Sequence, residues 1–114
     1  GEIFVPKIPS YRILELAEAV GPDCTKDIVG IRPGEKIHEE MITESDSYYT
    51  ADVGKYYVIL PQNPLWHYDE YFVKKNAKRV RYGFTYNSGS NEEWLSKEQL
   101  RELIRIHIDP NFVP

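Results

Sequence analysis

Gly30 to Met41 read "GIRPGEKIHEEM", and this stretch decides how the chain is organised. The run that enters it, Lys26 to Ile31, is rich in β-branched residues and reads as a strand. Arg32-Pro33-Gly34 reads as a turn. Beyond it, Glu35 to Met41 can form a short helix, with Ile37 and Met41 on one face and acidic residues in the first turn, where the helix dipole favours them. A strand, a turn and a helix with an arginine at the junction make a place where an anion can be held. A guanidinium is always charged and can grip a phosphate with two parallel hydrogen bonds. The backbone amides that open a helix can add to such a site. Arg32 could equally pair with a neighbouring carboxylate such as Glu35.

Outward from this junction the pattern is α+β. Glu2 to Lys7 alternates like a strand. Ser10 is a helix N-cap candidate, followed by Ile13, Leu16, Ala17 and Val20 at helical spacing and closed by Gly21-Pro22. Tyr48–Asp52 and Tyr56–Leu60 can pair as strands around Val53-Gly54-Lys55. Residues 65 to 83 mix Trp66, Tyr68, Tyr71 and Phe72 with Lys74, Lys75, Lys78, Arg79 and Arg81 and resist assignment. Phe84–Tyr86 is β-like, and Asn87-Ser88-Gly89-Ser90-Asn91 is the strongest loop signal. Ser96 and Gln99 form a capping box ahead of a helix carrying Leu100, Leu103, Ile104 and His107 on one face.

The bulk properties set limits. At 114 residues one domain is the default, and its core cannot be large. Nine of the fifteen aromatic residues are tyrosines, which suits half-buried surfaces and polar ligand sites. A net charge of -4 argues against a dedicated nucleic-acid binder. The basic-aromatic stretch 66 to 81 could stack single-stranded nucleic acid, but Asp69 and Glu70 interrupt it, and a solvated loop or subunit contact explains it as well. No apolar run reaches membrane-spanning length. The one cysteine, Cys24, excludes an internal disulfide and suits a reducing compartment, the cytoplasm. His38, His67 and His107 show neither a relay nor helical zinc spacing, so neither a catalytic residue nor a metal site is expected in this chain. No G-x-G-x-x-G is present. The chain starts without methionine and directly in a strand-like run, as a cut through a longer protein would.

Three separated motifs occur in order: Glu2-Ile3-Phe4-Val5-Pro6-Lys7-Ile8-Pro9-Ser10, Gly30-Ile31-Arg32-Pro33-Gly34-Glu35-Lys36-Ile37-His38-Glu39, and Tyr86-Asn87-Ser88 leading to Glu93-Trp94-Leu95. In this order they resemble the C-terminal part of the inverting UDP-N-acetylglucosamine 4,6-dehydratases. These are extended short-chain dehydrogenase/reductases of the polysaccharide-biosynthesis group that open pseudaminic acid synthesis for surface glycans and flagellin glycosylation. The resemblance covers nearly all of residues 1 to 114, least between Asn63 and Phe84. Sister nucleotide-sugar epimerases and retaining dehydratases share the RPGEK motif, and a non-catalytic protein-interaction module is an alternative of another class.

The resemblance implies a small α+β substrate-binding region, with short strands and two to three helices, that serves a Rossmann domain outside this chain. That domain would bind NADP and carry the catalytic Tyr, Lys and Asp; this chain would bind no cofactor and be inactive alone. The resemblance further implies a UDP-sugar substrate, a homo-oligomeric parent enzyme and, as substrate-binding residues, Arg32, Ser88, Gly89, Ser90 and Asn91. Tyr71 and Lys75 mimic a Y-x-x-x-K pair, but the strand and helix that chemistry needs do not surround them.

Overall fold

The computed structural model describes residues 1–114. Three α-helices and short antiparallel strands form the expected α+β arrangement, divided between two compact units. The first contains Gly1–Ile8 and His38–Ser90; the second contains Pro9–Ile37 and Asn91–Pro114.

The first unit is built on a hairpin. Strands β3 (Thr50–Asp52) and β4 (Tyr56–Ile59) pair antiparallel, with Ala51 opposite Val58. Gly54 turns the chain at φ +89°, a conformation that penalises any Cβ. Strand β1 (Ile3–Pro6) lies against β4, and β5 (Lys78–Arg79) against β3. The sheet order is therefore β1-β4-β3-β5. The Lys7 amide donates to the Lys55 carbonyl, so alternation turns the Pro6 nitrogen to the free edge, where its missing N–H blunts further pairing. Ala51, Val58 and Leu60 are buried and form the core of this sheet.

Helix α2 (Tyr68–Lys75) covers that core with Tyr68, Tyr71 and Phe72. Residues 65 to 83 thus resolve into a helix and a strand, and these rings pack inward instead of forming a stacking platform. Lys74 and Lys75 occupy the last turn of the helix, where positive charge opposes the dipole, and Asn76 ends it in the left-handed region. Lys7 reaches Asp52 at 2.7 Å. Burial pushes the Asp52 carboxyl up, but Lys7, the Gly54 amide and Lys78 together hold it below its ordinary range.

Strand β2 (Glu40–Ile42) pairs with β6 (Tyr86–Asn87) in a separate two-stranded sheet. The helix expected over Glu35–Met41 does not form. Seven residues barely offset the cost of nucleating a helix, and the last of them pair instead with Ser88 and β6. The strand expected to start at Tyr48 begins at Thr50, because Ser45–Tyr49 coil into a 3-10 turn. Asp46 sets that turn by accepting from the Thr43 amide at 3.0 Å and the Thr43 hydroxyl at 2.6 Å.

The second unit pairs α1 (Ile13–Val20) with α3 (Lys97–His107). The Ser96–Gln99 capping box opens α3 as the sequence indicates. Ser10 does not cap α1; Arg12 holds that position without a side-chain bond. Ser10 is instead buried, its amide donating to the Glu93 carbonyl and its carbonyl accepting from the Leu95 amide, both at 2.8 Å. The strand expected over Lys26–Ile31 is absent, since no partner strand lies beside it in this unit. Ile28 and Val29 stay 83% and 78% exposed.

Candidate functional site

Arg32 begins the turn the sequence indicates. The Glu35 amide donates to the Arg32 carbonyl at 3.1 Å, and Gly34 takes φ +87°. Proline second and a positive-φ glycine third is the order a type II turn requires. The carboxylate of Glu35 accepts from the Arg32 amide at 2.9 Å, while the guanidinium lies 4.0 Å from the other carboxylate oxygen. The Arg32 side chain is 77% exposed. So long and exposed an ion pair contributes little and leaves most of the guanidinium donors available. Because no helix follows Gly34, no helix N-terminus supplements the arginine here.

The loop residues fall into the two units. In the first, Asn87 Oδ1 accepts from the amides of Gly89 at 3.0 Å and Ser90 at 2.8 Å, an Asx turn. The Ser88 amide donates to the Glu39 carbonyl at 2.9 Å, and the Glu39 amide donates to Ser88 Oγ at 3.1 Å. The amides of Ser88, Gly89 and Ser90 are therefore consumed by the fold, so Ser90 offers a ligand its exposed hydroxyl and not its amide. In the second unit, Asn91 donates through Nδ2 to Ser10 Oγ at 3.2 Å and accepts from the Glu93 amide at 3.3 Å. Its carbonyl accepts from the Trp94 indole at 2.7 Å. The Asn91 side chain thus shapes its own unit.

Sequence reasoning missed two features of the first unit. The Tyr86 hydroxyl both accepts from the Ile8 amide and donates to the Ile8 carbonyl, each at 2.9 Å. An open cleft of about 540 Å³ is lined by Glu40, Glu44, Tyr48, Tyr82 and neighbouring hydroxyls. The Tyr48 and Tyr82 rings stand 4.8 Å apart, and the hydrogen bond that the neutral Tyr48 hydroxyl makes with Tyr82, then burial, pushes the Tyr48 phenol above its ordinary range. No local signal ties Tyr48 to Tyr82 or Ile8 to Tyr86, because the pairing depends on register. No group of three or more His, Cys, Asp or Glu is placed to hold a metal ion.

The chain is similar to known proteins along most of its length. Residues 1–61 match the family described as polysaccharide biosynthesis protein. The chain belongs to this family, within the extended short-chain dehydrogenase/reductases. Among its relatives is an inverting UDP-N-acetylglucosamine 4,6-dehydratase of Campylobacter jejuni, 42% identical over 108 residues, or 91% of this chain and 32% of that protein. A UDP-glucose 4-epimerase of Rickettsia canadensis is 33% identical over 108 residues, or 91% of this chain and 31% of the relative. The X-ray structure of Pen from Bacillus thuringiensis superposes with a TM-score of 0.65 at 31% identity, over 91% of this chain and 31% of that one. The chain spans about a third of the length of these relatives.

Proposed function

We propose that this chain is the substrate-binding part of an inverting UDP-N-acetylglucosamine 4,6-dehydratase. The observation that carries this reading is the margin in identity. Over 108 residues in each case the dehydratases reach 41% and 42%, against 33% for the Rickettsia canadensis epimerase. The exposed Arg32 at its type II turn supports the assignment, because it leaves a guanidinium able to grip a diphosphate.

The reaction would give UDP-2-acetamido-2,6-dideoxy-L-arabino-hex-4-ulose, for pseudaminic acid and flagellin glycan synthesis. The enzyme would act in the cytoplasm as a homo-oligomer. NADP would supply the hydride chemistry and would be held by a glycine-rich strand–helix turn outside the residues of this chain. Their proposed work is binding: Arg32 on the diphosphate, and Ser88, Gly89 and Ser90 on the substrate through their own unit.

In the whole enzyme, Arg32→Ala should raise KM for UDP-N-acetylglucosamine. A charge-assisted phosphate contact is worth roughly 1.5–3 kcal/mol, so the increase should be on the order of tenfold or more. Unchanged KM and kcat would remove Arg32 from the site. The epimerase relative sustains a second reading, and NMR of the product at C5 separates the two.

A further inference from the structure

The pairing of β2 with β6 continues past the ends of both strands. Glu40 stands opposite Asn87, and Glu39 exchanges two hydrogen bonds with Ser88. One step further, the register puts His38 opposite Gly89. The geometry agrees. A Cβ built on Gly89 would lie 2.7 Å from Cγ and Cδ2 of His38 and 2.8 Å from Nε2. The imidazole therefore occupies the space that any side chain at position 89 would enter. Gly89 is not among the positive-φ glycines, so its backbone conformation alone does not demand glycine. The ring does.

An aromatic ring folded over a cross-strand glycine shields that glycine's backbone and steadies the pairing around it. Here the glycine sits inside the Asx turn that carries Ser88 and Ser90. We propose that His38 is a positioning residue for nucleotide-sugar binding: by filling the place of a side chain at 89, it holds the turn in the form that offers the Ser90 hydroxyl to substrate. This rests on the reading of the Ser88–Ser90 loop as substrate-binding. The role belongs to the ring's shape and not to its nitrogens. It also gives the GEKIHEE segment a task apart from that of Arg32.

The test is steady-state kinetics of the whole enzyme with UDP-N-acetylglucosamine, with UDP binding by calorimetry beside it. His38→Ala should raise KM about three- to tenfold, the size of one misplaced hydrogen-bonding group, with kcat held within about twofold. His38→Phe should bring KM back, because it keeps a flat ring over Gly89. Gly89→Ala should expel the ring and raise KM similarly, and the double variant with His38→Ala should be no worse than either single one. If the wild-type enzyme turns over and His38→Ala has the same KM, the positioning role is wrong and the dehydratase reading stands. If His38→Phe fails to restore KM, the imidazole touches substrate directly and the positioning role is again wrong. A wild-type enzyme that neither turns over nor binds UDP overturns the dehydratase reading, and this inference with it.

Discussion

Tyr71 and Tyr86 show how much one hydroxyl depends on its surroundings. The Tyr71 oxygen is buried with no hydrogen-bond partner, and burial, followed by the nearby Glu2 carboxylate, pushes its phenol above the ordinary range. The Tyr86 oxygen instead bridges both backbone groups of Ile8. Removing a buried polar group without a partner is neutral or stabilising, while removing one that bonds others costs the net worth of those bonds. Tyr71→Phe should thus hold stability or raise it by up to about 1 kcal/mol in urea unfolding, and Tyr86→Phe should cost about 0.5–1 kcal/mol, the net worth of bonds that water can replace at the exposed Ile8. A loss above about 1 kcal/mol for Tyr71→Phe would show that its hydroxyl has a partner after all. At this scale Arg32 was legible, since a charge beside Pro-Gly is a local pattern. The two tyrosines were not, because both look alike until register decides what each hydroxyl meets. The Tyr71 ring packs against the sheet core from α2.

Helices show the same division between local and distant causes. The start of α3 is written in four residues, Ser96 to Gln99, and the hairpin turn at Gly54 in about as few. The missing helix at Glu35–Met41 and the missing strand at Lys26–Ile31 depended on partners, one present far along the chain at Tyr86–Asn87 and one absent from its unit. The end of α1 belongs with these distant effects. Its last turn carries no basic residue of its own. Arg101 of α3 supplies one, donating through Nε to the Ala19 carbonyl at 3.1 Å and through Nη2 to the Glu18 carbonyl at 3.0 Å. A guanidinium on orphan carbonyls both completes their hydrogen bonds and opposes the helix dipole. Arg101→Ala should therefore destabilise the second unit by about 1–2 kcal/mol in denaturant unfolding. Arg101→Lys should recover only part of that, because the ammonium lacks the planar guanidinium fork that holds Nε and Nη2 in fixed geometry toward the two carbonyls. Full stability in Arg101→Ala would mean that the last turn of α1 is satisfied some other way.

Across the whole chain, apolar side chains are exposed in both units. Ile3 and Phe4 are 60% and 55% exposed in the first, and Ile13 and Ile28 are 72% and 83% exposed in the second. Exposed apolar area of this extent is common where a surface meets another body. The relatives are about three times as long as this chain, so they have further chain with which to meet such surfaces. The proposed division of labour gives a sharp expectation. A hydride can move only where a redox cofactor is held against the sugar, and positioning residues cannot replace that chemistry. The 114-residue chain incubated with NADP and UDP-N-acetylglucosamine should therefore yield no 4-keto sugar by NMR, whatever its affinity for UDP. Adding the chain that carries the glycine-rich loop, in one polypeptide with this one, should restore turnover and make it sensitive to Arg32→Ala. Turnover by the 114 residues alone would sink the division of labour, since it would place the catalytic centre among residues assigned here only to binding.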